Sequence, residues 1–274
     1  MCAERHPLCE PALEDVAYLS RSANRVRLLR ALTDGPVSRR RLMESTGVSR
    51  TTLGRILNEL TDRGWVERET DGRYVATTTG EHVVRAFLPT VEALETVRSL
   101  GEAVQWLPPS VDAVGLAAFR DATVHRPVAN EPLSFARELV DRIESATRFR
   151  TLTYLAPPMH SFAVVMHERI RDGGLESEFV FAGGLVEHLA GDPERRRRWH
   201  ESVAFGTVVY RYDGHIPCNL FLFDRTVLIP NTDPDKGPTG GFLESDDDDV
   251  YGWATDLIER YRDAAERVPA ETFA

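Results

Sequence analysis

The chain has 274 residues and a mass of 30.8 kDa, which fits one large domain or two smaller ones. At 42% hydrophobic residues it can build a core, yet no apolar run approaches the roughly 20 residues that span a bilayer. The start, MCAERHPLCEPALED, lacks the apolar centre of a secretory signal, and three cysteines make no disulfide framework, so a soluble cytoplasmic protein with no membrane role is expected.

The net charge of −10 is unevenly spread. Arg21 to Gly80 holds twelve arginines against seven acids, a balance of +5, which leaves −15 on the rest. A basic module joined to an acidic body suits a phosphate-facing domain and a solvated regulatory one. Cys2, His6 and Cys9 stand close enough to suggest a metal. The plainer reading is a disordered tail over residues 1–12, because ordered zinc sites pair two short ligand spacings. No metal and no cofactor are expected.

From residue 13 to 33, Val16, Leu19, Ala23, Val26, Leu29 and Leu32 recur with helical period, and Ser22 is placed to cap a second helix from Ala23. Asp34-Gly35-Pro36 stops it. Arg39 to Thr46 reads as a short helix and Gly47 as its left-handed stop. Ser49 caps the next helix, Arg50 to Arg63, whose stripe is Leu53, Ile56, Leu57 and Leu60. Trp65 to Thr70 and Arg73 to Thr78 flank Asp71-Gly72, a hairpin signal. Two short helices, a glycine turn and a hairpin form a winged helix-turn-helix over residues 13–78.

Thr79 to Leu107 is a long linker or dimerisation helix, with Val84, Phe87, Val91, Leu94, Val97, Leu100 and Val104 as its stripe and Pro89 as a kink or effective start. Pro108-Pro109 marks a domain boundary. Over residues 108–274 the patterns alternate. Phe119–Val128, Phe149–Ala156, Leu175–Ala182, Thr207–Tyr212, Leu220–Phe223 and Thr226–Ile229 read as strands. Leu133–Ala146, Met159–Asp172, Pro193–Phe205 and Val250–Val268 read as helices, the last with Trp253, Leu257, Tyr261 and Ala264 inward. Asn231–Asp249 reads as a mobile loop. This predicts an α+β winged-helix module followed by an α/β domain, a mixed sheet flanked by helices.

The second helix of a helix-turn-helix puts its N-terminal residues at base edges in the major groove. Those residues here are Ser49, Arg50, Thr51, Thr52 and Arg55. Arginine grips guanine with two hydrogen bonds, and threonine reaches bases or phosphate. Arg39, Arg40 and Arg41 are set for phosphate, and Arg68 and Arg73 flank the wing tip. Elsewhere the signals are weaker. His160 and Ser161 follow a strand end at Ala156-Pro157-Pro158, where open sheets bind ligands, and are read either as an effector pocket with Tyr154 or as a plain helix start. No nucleophile elbow accompanies the Ser-His pair. Arg195 to Arg198 reads as the solvated side of a helix, and Asp246 to Asp249 as its successor's cap. Asn231, Asp233 and Asp235 miss the glycine and glutamate positions of a calcium loop, and Ala182-Gly183-Gly184 lacks phosphate-loop spacing.

Nearly the whole chain resembles the archaeal winged-helix regulators of the methanogenesis regulatory protein family. The resemblance rests on SANRVRLLRALTDGPVSRRRLMESTGVSRTTLGRILNELTDRGWVER, ATTTGEHV, FRDATVHRP, GDPERRRRW, IPCNLFLFDRTVLI and VYGWATDLIERYRDAAERV. Haloarchaeal members are the most similar, and one lysine against 32 arginines resembles the composition of halophilic proteins. The resemblance implies a transcription regulator with an N-terminal DNA reader and a C-terminal domain that senses an effector or dimerises. It also implies a layout similar to a phospholipase-D-like sensor, without catalysis: that chemistry needs His-x-Lys, and Lys236 is preceded by Pro234 two residues earlier. Asp121, Pro217, Asp224 and Trp253 match recurrent family positions and are read as structural.

The expected function is therefore sequence-specific binding of double-stranded DNA, as a homodimer, answering to an unidentified small-molecule effector and without enzymatic activity. Two alternatives stay open: a small-molecule enzyme with an appended winged helix, and a protein-recruiting adaptor.

Overall fold

A computed structural model describes residues 9–126, 134–156, 160–233 and 237–274. The chain packs as two compact units, residues 1–92 and 93–274.

In the first unit, α1 (Glu10–Ser20) and α2 (Ala23–Ala31) precede α3 (Arg39–Thr46) and α4 (Arg50–Asp62). The chain makes the tight α3–α4 corner because Gly47 takes φ +68°, a conformation that costs other L-residues dearly. Ser38 and Ser49 cap the two helices, each accepting from a backbone N–H in the first turn. Leu53, Ile56, Leu57 and Leu60 are buried with Leu28, Leu29, Leu32, Leu42 and Trp65 in one aliphatic core. The wing is β1 (Val66–Arg68) antiparallel to β2 (Tyr74–Ala76). Gly72 has φ +87° and Asp71 accepts from the Arg73 N–H, so the Asp-Gly pair does form the tip. Helix α5 (Thr78–Leu100) follows at once. Its first turn lies so close to the wing that a Cβ on Gly80 would sit 2.0 Å from the Trp65 carbonyl oxygen.

The second unit is a sheet with helices on both faces. Its strands are β3 (Thr123–His125), β4 (Arg148–Thr153), β5 (Glu176–Ala182), β6 (Val208–Tyr212), β7 (Leu220–Phe223), β8 (Thr226–Asp233), β9 (Gly237–Ser245) and β10 (Glu266–Arg267). Among the described residues their order is β10-β6-β5-β4-β7-β8-β9-β3. Strands β4, β5 and β6 run parallel and the remaining pairs antiparallel, the expected mixed sheet. The helices are α6 (Ser134–Ser145), α7 (His160–Arg171), α8 (Gly183–Gly191), α9 (Pro193–Ala204) and α10 (Asp248–Asp263).

Side chains alternate across a strand, so one sequence feeds two cores. Phe149, Phe179, Phe181, Phe221 and Phe223 pack with α6, α7, α8 and α9. Leu152, Val180, Leu220 and Leu222 face α10 and the short 3-10 segments Gly101–Trp106, Pro109–Ala113 and Leu116–Phe119. Trp253 packs edge-on to Phe119 and donates its indole N–H to the Ser110 carbonyl at 3.0 Å. Asp247 caps α10, accepting from the Asp249 and Val250 amides.

Several expectations need correction. Helix α1 starts at Glu10, inside the segment expected to be a tail; Cys2 and His6 lie outside the described residues, and Cys9 is exposed. Val16 is exposed and Leu28 buried instead, because Ser20 and Arg21 break the register between α1 and α2. The long helix ends at Leu100, where Gly101 turns left-handed, and Pro89 lies inside it. The division between units falls within that helix rather than at Pro108-Pro109, and Leu100, Ala103, Val111 and Phe119 share one core of the second unit. Only Thr123–His125 of the strand expected from Phe119 is extended, while Val128 lies outside the described residues. Most of the expected loop Asn231–Asp249 is a hairpin of β8 and β9; its Gly and Pro content masks the buried Phe242 and Leu243. Asp235, Lys236 and Pro234 lie outside the described residues. The last helix stops at Asp263, so Ala264 is exposed and Glu266–Arg267 add an edge strand to β6.

Asp224 turns the chain between β7 and β8 with φ 50°, the one positive value outside glycine among the described residues. Its carboxylate accepts from the Thr147 N–H and hydroxyl and the Arg148 N–H at 2.7 to 3.1 Å. Asp224→Ala should cost about 1–3 kcal/mol through lost charge-assisted bonds and left-handed strain, with Asp224→Asn costing less. Urea unfolding checks both.

Candidate functional site

The burial of one stripe of α4 fixes where its other residues point. Arg50, Thr51 and Arg55 are exposed on the far face, Ser49 is exposed at the tip, and Thr52 is half-buried. Ser49 is engaged locally: its oxygen caps the helix and its hydroxyl donates to Thr52 Oγ1 at 3.0 Å. Arg50 has no carboxylate partner among the described residues, and neither does Arg41 on α3. Thr51 makes no side-chain hydrogen bond there either. Arg39, Arg40, Arg41, Arg68 and Arg73 are all exposed.

Other members of the predicted set are held by neighbours. Arg39 donates to the Tyr74 hydroxyl at 2.8 Å, its guanidinium 5.3 Å from the ring centre. Arg68 sits 5.9 Å from the same ring. Arg40 pairs with Glu44 at 3.0 Å. Arg73 pairs with Asp71 at 2.6 Å and with Glu69 at 3.5 Å. The Arg73 backbone N–H, which contributes most, and the Arg73 guanidinium hold the Asp71 carboxyl below its ordinary range. Exposed pairs of this kind are worth only about 0–1 kcal/mol, so a phosphate can take the arginine.

Arg55 belongs to a tighter group that the sequence reading missed. It donates to Glu59 at 2.9 Å, and Glu59 also receives Arg25 at 3.2 Å and the Tyr18 hydroxyl at 3.1 Å. Glu59 thus ties α1, α2 and α4 together and holds Arg55 on the exposed face of α4. Burial works to raise the Glu59 carboxyl, but hydrogen bonds from Tyr18 and Arg55 and the charges of Arg55 and Arg25 outweigh it and hold it below 4.5. Burial and the Glu59 contact push Tyr18 up to about 12. A glutamate four residues after an arginine was the signal available in sequence; its partners on α1 and α2 were not.

In the second unit, a cavity of about 210 Å³ lies between α7, the end of α8 and α9. His160, Met166, Leu189, Arg198, Trp199 and Ser202 line it. Of the three residues expected in a pocket, His160 stands at this cavity while Tyr154, at the end of β4, and the exposed Ser161 do not line it. The arginine run is mostly solvated as expected, except Arg198, whose side chain is 12% exposed. Asn231 and Asp233 lie in β8, and Asp235 lies outside the described residues. Among the described residues no three His, Cys, Asp or Glu side chains form a metal cradle. No helix there is long and apolar enough to cross a membrane.

Residues 13–99 match the HVO_A0261 N-terminal domain, and residues 132–264 match the middle domain of methanogenesis regulatory protein FilR1. The longer of these two matches, to the methanogenesis regulator's middle domain, spans just under half of the chain. No curated protein matches it. Among solved structures, one similar chain is TrmBL2, described as an archaeal chromatin protein with a novel mode of DNA binding. That match has 14% identity and a TM-score of 0.41, and covers 92% of this chain and 98% of the other. NucT from Helicobacter pylori matches at 12% identity and a TM-score of 0.39, covering 54% of this chain and 99% of the other. At these scores neither likeness carries an argument about this chain.

The Glu59 tie gives a direct expectation. Its contribution is full above pH 4.5 and lost as the pH falls through the lowered folded value. Glu59→Gln should therefore lower the melting temperature at pH 7 but much less at pH 3. Thermal unfolding at the two pH values tests this, and equal losses at both would refute the tie.

Proposed function

We propose that this chain is a sequence-specific transcription regulator that binds double-stranded DNA through its winged helix-turn-helix, residues 13–78. One observation carries the reading: α4 buries its aliphatic stripe and leaves Arg50, Thr51 and Arg55 outward, two of them without competing bonds. In the groove, Arg50 and Arg55 would read guanine edges and the hydroxyls of Thr51 and Thr52 would reach bases or backbone. Ser49 would serve as the cap that aims the tip. The free N–H groups of the α4 start favour phosphate, as do Arg39, Arg40 and Arg41. Arg68 and Arg73 would follow the backbone or minor groove at the wing. The +5 balance of Arg21 to Gly80 supplies the field for this approach.

The remaining regions have roles in the same proposal. Residues 79–107 would link and pair two copies, with support from Leu94, an apolar α5 side chain left 60% exposed. Residues 108–274 would sense an effector or reinforce the dimer, in a phospholipase-D-like layout deprived of its chemistry by the missing His-x-Lys. Two winged helices read half-sites near one helical turn apart, so a small change of spacing would switch binding. The enzyme reading has one observation in its favour. Ser202 Oγ is 3.0 Å from His167 Nδ1, and His167 Nε2 is 3.1 Å from Glu201. Ser202 is buried in the interior of α9 with its amide used by the helix, so no oxyanion donors accompany it.

Arg50→Ala or Arg55→Ala should weaken operator binding by about 1–3 kcal/mol, roughly 5- to 150-fold, and relax base preference. Arg41→Ala should weaken all duplexes alike and reduce the salt slope by about one. Gel-shift titrations at several salt concentrations decide; wild-type affinity and preference in both α4 variants would end the proposal.

A further inference from the structure

The cavity between α7, α8 and α9 contains a cation with unused bonding capacity. Arg198 is nearly buried, and its described partner is Glu194, reached through one nitrogen at 2.8 Å. A guanidinium has five N–H donors in a planar fork. Those left over have no protein partner among the described residues and are not sealed from solvent, so they stand available to an acceptor that enters the cavity.

Most other polar groups around the cavity have a protein partner, although Arg195, like Arg198, uses only one side-chain nitrogen. Asp192 caps α9 by accepting the Arg195 N–H at 2.8 Å, and the Arg195 side chain contacts His188. Ser202 bonds to His167. His160 lies at the mouth, 3.9 Å from Glu194 with its side chain 67% exposed. The apolar wall is Met166, Leu189 and Trp199, and Trp199 is fixed edge-on against Phe179 and Phe181 at 4.9 and 5.2 Å. By contrast, in the polar cavity beside β4, β5 and α10, Arg150 and Arg262 both pair with Glu178 and Glu259.

We propose that the α7–α8–α9 cavity binds a small monocarboxylic acid with an aromatic or branched apolar body. Arg198 takes the carboxylate through its spare fork edge, the geometry in which arginine binds carboxylates best. The hydrocarbon lies on Trp199, Met166 and Leu189. At about 210 Å³ the cavity is below the usual size of ligand pockets, roughly 300–1,000 Å³, so the acid is small. The carboxylates of Asp192 and Glu194 at the rim disfavour a second negative charge, which selects a monoanion over phosphate. This assignment rests on the reading of residues 108–274 as an effector domain and gives that effector a chemical class.

Calorimetric titration of the full chain with benzoate, phenylacetate and isovalerate, with inorganic phosphate as the control at matched ionic strength, tests it. At least one acid should bind one to one. Arg198→Met should weaken it about tenfold or more, Glu194→Gln should tighten it, and phosphate should not bind. Ala163→Phe, which fills the cavity and spares Arg198, should abolish binding and decides the matter if the Arg198 variant does not fold. The inference is overturned if none of the three acids binds, if phosphate binds as well as the best acid, or if the cavity-filling variant binds normally. Gel shifts of the wild-type chain without added acid read the regulator proposal separately, so failure of either reading is seen on its own.

Discussion

Four aliphatic side chains on α4 set the geometry on which the proposed reading surface depends. Leu53, Ile56, Leu57 and Leu60 recur at helical spacing and are all buried. Withdrawing such side chains from water contributes roughly 1.5–3 kcal/mol each, far more than any exposed ion pair on the opposite face. The helix therefore cannot rotate to hide Arg50 or Arg55 without exposing that stripe. Glycine at the corner and serine at the cap then decide where the helix begins, and so which residues form its tip. Glu59 adds a local refinement: it steadies one arginine of the outer face against two neighbouring helices.

The second unit follows a different rule, the two-residue period of strands. Phenylalanines at alternate positions of β4, β5 and β7 build the core under α6, α7, α8 and α9, while the leucines and valine between them build the core under α10. A sheet covered on both faces leaves its polar chemistry to the helical layers and strand ends. That is where Arg198 and its cavity lie, with Trp199 packed directly on Phe179 and Phe181 of β5. The charge division has the same logic, with positive surface where phosphate would sit and negative surface over the rest.

The legibility of these features in sequence followed the range of the interactions that make them. The helix-turn-helix was readable because caps, glycine corner and stripe are local, and α3 and α4 begin where Ser38 and Ser49 put them. Strands β5 and β7 were readable from dense apolar runs. Strand β9 was hidden because glycine and proline dilute it and its partner β8 supplies the order. Helix α8 opens on two glycines, poor helix formers, and is held by packing of Leu185, Val186 and Leu189. The predicted DNA-facing residues reach the surface, yet their pairings were invisible, since Arg39 is held by Tyr74 from the wing and Glu59 by Tyr18 from α1. Tyr154, His160 and Ser161 were grouped by sequence proximity, whereas the cavity draws its residues from three helices.

Whether the tip of α4 meets the duplex is decided by amide hydrogen exchange of the full chain with and without a promoter duplex. Exchange should slow around residues 49–55, with a second zone at 68–73, both fading as salt rises. Protection confined to residues 93–274, with none on α4, would contradict that contact.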